Sequence, residues 1–189
     1  MTESLPEGRF NNRVLICDDN QSIHEDLIKI FRPPPKTGNS EIINHLESLL
    51  FEDPSEVATA ERIQLDFQLE SAFSGREAIR MVKKAKEEGN PYSLIFMDVR
   101  MPPGPDGILT SKEIWEALPT TEIVILTAYS DYSWDGIIHN LGSNDKLLYL
   151  RKPFSSIAVK QIALNLVNRW NMGNALRERI EELEAQIES

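Results

Sequence analysis

Short apolar runs alternate along the chain with segments whose apolar residues recur at helical spacing. The runs are Val14–Cys17, Leu65–Leu69, Ser93–Met97, Ile123–Leu126 and Lys146–Leu150. Four are almost continuously apolar, which suits strands covered on both faces in a parallel sheet; Leu65, Phe67 and Leu69 instead alternate with polar residues, as an edge strand does. Between them, Ala78, Val82 and Ala85 repeat at i, i+4, i+7, and Trp134, Ile137, Ile138 and Leu141 form the same stripe, so both segments read as helices covering the sheet with one face. A first helix is expected from about Ser22 to Phe31, and another from about Ile108, carried by Ile114 and Leu118 and stopped by Pro119. Strand and helix alternate throughout, which predicts an α/β fold with a doubly wound five-stranded parallel sheet and helices on both faces.

Two segments interrupt this alternation. After the first helix the chain meets Pro33-Pro34-Pro35, a stiff polyproline-like spacer, and roughly 30 residues pass before the next strand where α/β connections usually take 2 to 6. The insertion, about 33–62, has its own apolar stripe of Ile42, Ile43, Leu46, Leu49 and Leu50, which predicts a packed helix. At the other end, Leu176, Ile180, Leu183 and Ile187 follow a 4, 3, 4 spacing with Glu and Arg between them, so the last helix outlasts the domain. A four-residue seam with no surface of its own chain left to cover it predicts self-association as a short coiled coil, a homodimer through the C-terminal helix. The expected organisation is an N-terminal tail at 1–12, a domain at 13–168 and a helical extension at 169–189.

Composition narrows the reading. With 189 residues, the chain suits one domain with an appendage or two small ones, and 41% hydrophobic against 26% charged residues is ordinary for a soluble globular domain. The net charge of −10 repels phosphate backbones, so binding of nucleic acid by this chain is not expected. The single Cys17, the lack of a signal-like opening and the lack of an 18-residue apolar run fit a cytoplasmic protein that does not span a membrane.

Ligands of open parallel sheets gather beyond the carboxyl ends of the strands, near the point where strand order reverses. There the first run ends in Asp18-Asp19, the third in Asp98, the fourth in Thr127-Ala128 and the fifth in Lys152-Pro153. Three neighbouring carboxylates repel one another unless a cation sits among them, and hard oxygen donors suit Mg2+. With the metal bound, one carboxylate can act as a nucleophile toward phosphorus while Mg2+ and Lys152 neutralise charge on the phosphoryl oxygens. Thr127 can donate a hydrogen bond to a phosphoryl oxygen, and Ala128 leaves room for the group.

These residues, taken with Ser74-Gly75-Arg76-Glu77-Ala78, Phe96-Met97-Asp98-Val99-Arg100-Met101-Pro102, Asp106-Gly107, Leu126-Thr127-Ala128 and Leu150-Arg151-Lys152-Pro153-Phe154, stand in the order and spacing of a known family. The chain resembles the receiver domain of two-component response regulators over about residues 13–165. The resemblance implies strand order 2-1-3-4-5 and Asp98 as the phosphoacceptor, charged by a phosphohistidine on a sensor histidine kinase or a phosphotransfer protein. It implies that Asp19, Asp98 and the backbone carbonyl of Arg100 ligate Mg2+ directly and that Asp18 holds it mainly through water. Lys152 would pair with the phosphoryl group, and a cis peptide would join Lys152 to Pro153. Thr127 would be the switch hydroxyl and Tyr149 the switch aromatic, although a Tyr in a buried strand also serves as core alone.

The sequence departs from the family in the insertion, in the Pro-rich Met101–Gly107 loop, and in the absence of an output domain after Pro153. Two other readings compete with a phosphorylation-dependent module. A receiver-derived dimerisation scaffold would use the tail and ignore the phosphosite. A phosphatase or phosphotransferase would need a second acid where Arg100 stands, so the chain reads as a phosphoacceptor and not as an enzyme. His24, His45 and His139 show no paired ligand spacing and are assigned no metal or phosphohistidine role. Cys17 reads as a small apolar core residue, and Trp115, Trp134 and Trp170 as packing against sheet or partner, with Trp134 near the transmitting face. Asp131 and Asp135 read as solvated or capping acids.

Overall fold

The computed structural model describes residues 10–32, 67–128, 141 and 146–187. The insertion, His45, Asp131, Asp135, His139 and, apart from Leu141, the helix expected around Trp134 lie outside the described residues. Among those described, the elements run β1 (Arg13–Cys17), α1 (Gln21–Phe31), β2 (Gln68–Ala72), α2 (Gly75–Glu87), β3 (Leu94–Asp98), α3 (Gly107–Ala117), β4 (Glu122–Thr127), β5 (Leu147–Arg151) and α4 (Ser156–Ile187). The five strands form one parallel sheet in the order β2-β1-β3-β4-β5, as expected.

Alternation along the strands sends successive side chains to opposite faces and so builds two cores. On one face Leu15, Cys17, Ile95, Met97, Ile123 and Ile125 pack under α2 and α3 through Ala78, Val82, Ile108 and Ile114. On the other, Val14, Ile16, Leu94, Phe96, Val124 and Leu126 pack under α1 and α4 through Leu27, Phe31, Val159, Ala163, Leu166 and Val167. β3 is buried along its whole length, as its apolar run predicts.

The edges depart from the reading by apolar runs. β2 begins three residues later than the run Leu65–Leu69 suggests, because its register is fixed by pairing Arg13 with Gln68 and Cys17 with Ala72. Its polar residues are held across the sheet: Arg13 forms an ion pair with Glu70 and lies over the Tyr92 ring, whose hydroxyl donates to Glu70 at 2.8 Å. β5 pairs only with β4 and closes the opposite edge, so it is less covered than a continuous apolar run predicts; Leu148 is 38% exposed.

Local chemistry starts the helices. Asn20 caps α1 by accepting from Ser22 N, Ser74 caps α2 by accepting from Glu77 N, and Asp106 caps α3 by accepting from Leu109 N at 2.8 Å. Glu77 also accepts from Phe73 N at 2.8 Å, the residue before the cap. Trp115 packs at the sheet and donates to Thr121 O at 2.9 Å, while Trp170 is a buried residue of α4 itself.

Helix α4 has 32 residues, about 48 Å at 1.5 Å per residue. Its domain end is tied down by the Arg169–Glu122 ion pair and by a reciprocal pair in which Asn11 N donates to Asn171 Oδ1 at 2.7 Å and Asn171 Nδ2 donates to Asn11 O at 2.8 Å. Beyond it Leu176, Ile180, Leu183 and Ile187 are exposed. Among the described residues no helix is long and apolar enough to cross a membrane.

Cys17 is fully buried in β1, and burial, followed by the nearby charges of Asp18, Asp98 and Glu77, pushes its thiol pKa far up. Its thiolate is therefore absent at neutral pH. The folded protein is expected to leave a maleimide unreacted at pH 7.5 and to consume one equivalent on unfolding in guanidinium. Rapid labelling of the native chain would show instead that β1 opens.

Candidate functional site

The strand order places the carboxyl ends of β1 and β3 side by side where the winding reverses, with β4 and β5 following along the same edge. The residues beyond these ends stay anchored to the ladder. Asp18 N donates to Ala72 O at 3.2 Å, Val99 N to Leu126 O at 3.1 Å and Lys152 N to Thr127 O at 2.8 Å. Asp18, Asp98, Thr127 and Lys152 are thereby brought to one edge although as many as 134 positions separate them.

The Lys152 ammonium lies 2.7 Å from Asp18 Oδ2 and 2.7 Å from Asp98 Oδ1. The second oxygen of each acid accepts a backbone N–H, from Asn20 to Asp18 Oδ1 at 2.9 Å and from Arg100 to Asp98 Oδ2 at 2.8 Å. Every oxygen of this buried pair thus has a donor, as burial of charge requires. Asp19 beside them is exposed, and one oxygen from each of Asp18, Asp19 and Asp98 lies within 4.8 Å of the others. Three hard oxygen donors so close form a set that fits a divalent cation of the Mg2+ kind.

Burial raises the Asp98 pKa above the ordinary carboxylate value despite its bond to Lys152, and the charge of Asp18 adds to the rise. Burial works against the charged form of Lys152, but its bonds to Asp18 and Asp98 outweigh this and hold the ammonium above its usual value. Each effect belongs to a cation shared between two crowded acids.

Thr127 is buried at the end of β4 and donates to Ala128 O at 2.9 Å; Ala128 itself is exposed. Strand alternation places Thr127 on the face of Ile123 and Ile125, and Tyr149, in register with Ile125, packs against that same core. Thr127 and Tyr149 therefore share one face on neighbouring strands. The Lys152–Pro153 bond is cis, and so is Pro102–Pro103 in the loop beyond Asp98. The N-terminus of α3 closes in from the side: Gly107 N donates to Val99 O at 2.9 Å, and a Cβ on Gly107 would overlap the Asp98 carbonyl oxygen.

One residue at this edge carries no role in the sequence reading. His24, on α1, bonds the Asp18 carbonyl through Nε2 at 2.8 Å and Ser71 Oγ through Nδ1 at 2.9 Å. Its partners, a main-chain carbonyl and a hydroxyl 47 positions away, leave no ligand spacing in the sequence.

Known proteins resemble this chain in sequence and in fold. Residues 49–163 match the family described as the response regulator receiver domain. That match leaves out β1, which the sheet holds between β2 and β3. The chain is 46% identical over 95 residues, half its length, to the osmosensing histidine protein kinase SLN1 of Saccharomyces cerevisiae, 8% of which is covered. It is 32% identical over 91 residues to the oxygen regulatory protein NreC of Staphylococcus haemolyticus, covering 46% of this chain and 40% of that one. The chain thus spans well under half the length of these relatives. A receiver domain protein (CheY-like) from Methanospirillum hungatei JF-1 superposes with a TM-score of 0.57 over 86% of this chain and 98% of its own, at 14% identity, a likeness of fold alone. The family match runs over more than half of the chain, so the chain belongs to the response regulator receiver domain family of two-component signalling.

Proposed function

We propose that this chain is a phosphorylation-dependent signalling module that accepts a phosphoryl group on Asp98 from a phosphohistidine of a sensor histidine kinase or phosphotransfer protein. The observation that carries the reading is Lys152 held at 2.7 Å from both Asp18 and Asp98, with Asp19 beside them. A carboxylate oxygen of Asp98 attacks phosphorus, a mixed anhydride forms, the P–N bond breaks and the imidazole nitrogen keeps the electron pair. Bound by Asp18, Asp19, Asp98 and the Arg100 carbonyl, Mg2+ would supply countercharge to the acids and to the phosphoryl oxygens. Lys152 uses two of its three donors on the acids, which leaves one for a phosphoryl oxygen.

The switch follows from competition for one hydroxyl. Thr127 now donates to a neutral carbonyl, and an anionic phosphoryl oxygen is the stronger acceptor. Its turn toward Asp98, past the small Ala128, vacates space on the face that Tyr149 shares. Phosphate then needs only to bind this second arrangement better for the population to shift.

Incubation with a small acyl phosphate and Mg2+ tests the reading. The wild type is expected to gain one hydroxylamine-labile phosphoryl group and Asp98→Asn none. Equal modification of both, or of neither under conditions where Mg2+ binds, overturns it in favour of a receiver-derived scaffold.

The tail supports a homodimer. Its seam places Ile180 and Ile187 at one core position and Leu176 and Leu183 at the other, the Ile/Leu arrangement that favours two-stranded coiled coils, and all four are exposed. Sedimentation is expected to show a dimer for the full chain and a monomer for one stopped after Asn171. Phosphoryl uptake should survive the truncation, and an unchanged sedimentation coefficient per subunit would refute the tail as the interface.

A further inference from the structure

His24 is 2% exposed, and its ring is held on three sides. A carbonyl only accepts, so the contact of Nε2 with Asp18 O at 2.8 Å places a proton on Nε2; on the neutral ring Nδ1 then accepts from the Ser71 hydroxyl at 2.9 Å. One ring face lies against Phe73, with centroids 4.4 Å apart. Ser71 lies on β2, paired with Ile16, so the ring is referenced to the sheet and not to α1 alone.

This ring takes over where the ladder stops. β1 ends at Cys17, and the next residue keeps a strand-like bond only through its N–H, to Ala72 O at 3.2 Å. Its carbonyl has left the sheet, and Asp18 is 1% exposed, so the bond from His24 satisfies it. That oxygen belongs to the peptide plane joining Asp18 to Asp19. The preceding plane is held by the Asp18 N–H on Ala72 O and this one by its carbonyl on His24, so both backbone torsions of Asp18 are constrained, and with them the direction in which Asp19 leaves the chain. The Asp18 carboxylate is fixed separately by Lys152 and Asn20 N.

We infer that His24 is a positioning residue for the divalent cation: it orients the Asp18–Asp19 peptide so that both acids offer oxygens together with Asp98. The inference rests on the reading of this acidic edge as a Mg2+ and phosphoryl site and adds a buried outer contact to it. Groups that orient metal ligands from outside typically change affinity 10- to 100-fold when removed.

The test is Mg2+ titration followed by the amide resonances of Asp18, Asp19 and Arg100, with acyl-phosphate uptake run alongside. His24→Leu, which keeps bulk but no donor, is expected to bind Mg2+ about tenfold more weakly and to recover wild-type uptake at saturating Mg2+. His24→Gln, whose amide can donate to Asp18 O, is expected to stay within threefold of wild type. Should the Leu variant fail to fold, Ser71→Ala decides: releasing Nδ1 is expected to weaken Mg2+ binding measurably, and unchanged affinity overturns the inference. A Gln variant as weak as the Leu variant also overturns it, since shape and not the donated bond then matters. A wild type that shows no Mg2+ response overturns the reading of the edge and this inference together. A wild type that binds Mg2+ and is phosphorylated on Asp98, beside a Leu variant that binds equally well, overturns this inference alone.

Discussion

Lys152→Met is expected to bind Mg2+ more tightly than the wild type while taking up phosphoryl groups far more slowly. The ammonium is a countercharge shared by Asp18 and Asp98, whose side chains are 1% and 10% exposed. A divalent cation entering the cluster competes with it, and removing it leaves the acids wanting a cation more strongly. Uptake falls because the donor left for the phosphoryl oxygen is lost with it. The same substitution leaves two buried carboxylates unpaired, a change that costs about 3 kcal/mol or more in comparable sites.

The pH dependence separates this explanation from a simple packing loss. The Asp98 pKa already lies above its ordinary value through burial, and loss of Lys152 raises it further. The folded variant then holds a proton that the unfolded chain releases, so its stability falls as pH rises from the ordinary carboxylate range toward neutrality. The gap from wild type should therefore be wide at pH 7.5 and narrow at pH 4.5 in denaturant unfolding with EDTA present. In the wild type, the raised Lys152 value stabilises the fold at all pH below the ordinary lysine range and fades as pH climbs through it. A stability gap equal at both pH values would sink the account.

Gly107→Ala is expected to be the most damaging single-methyl change at the site. The added Cβ would overlap the Asp98 carbonyl oxygen and lie 2.8 Å from its carbonyl carbon, so neither a rotamer nor a flexible side chain can relieve it. Either α3 retreats, breaking the bond from Gly107 N to Val99 O and loosening Ile108 and Ile114 from the core, or the end of β3 shifts and misplaces Asp98. Overpacking of this kind typically costs about 3 kcal/mol at its upper range. Thermal unfolding should show the loss, and phosphoryl uptake should fall even in the fraction that stays folded. A wild-type melting temperature would mean that the two backbones do not approach as closely as described.

The acidic edge is legible in the sequence for a physical reason. Asp18, Asp98, Thr127 and Lys152 each follow an apolar run, and a parallel sheet brings the ends of such runs together whatever their separation in the chain. Other features leave no local trace. β2 is hidden because Glu70 and Ser71 are polar, their partners being Arg13 on β1 and His24 on α1, so apolar periodicity places the strand too early. His24 is missed for the converse reason: alone on a helix, it resembles any histidine until the fold sets a carbonyl and a hydroxyl at its two nitrogens. The exposure of β5 is a matter of strand order and not of its own composition.

The attachment of α4 has one more consequence. Arg169 and Asn171 tie that helix to the domain, through Glu122 and Asn11. From there the helix is a spiral with a known origin, and each added residue turns it by about 100°. The bearing of the Leu176–Ile187 seam relative to the sheet is therefore an angle counted in residues. One residue inserted after Asn171 would swing it to another quadrant, whereas seven would return it to within about 20° of its starting direction.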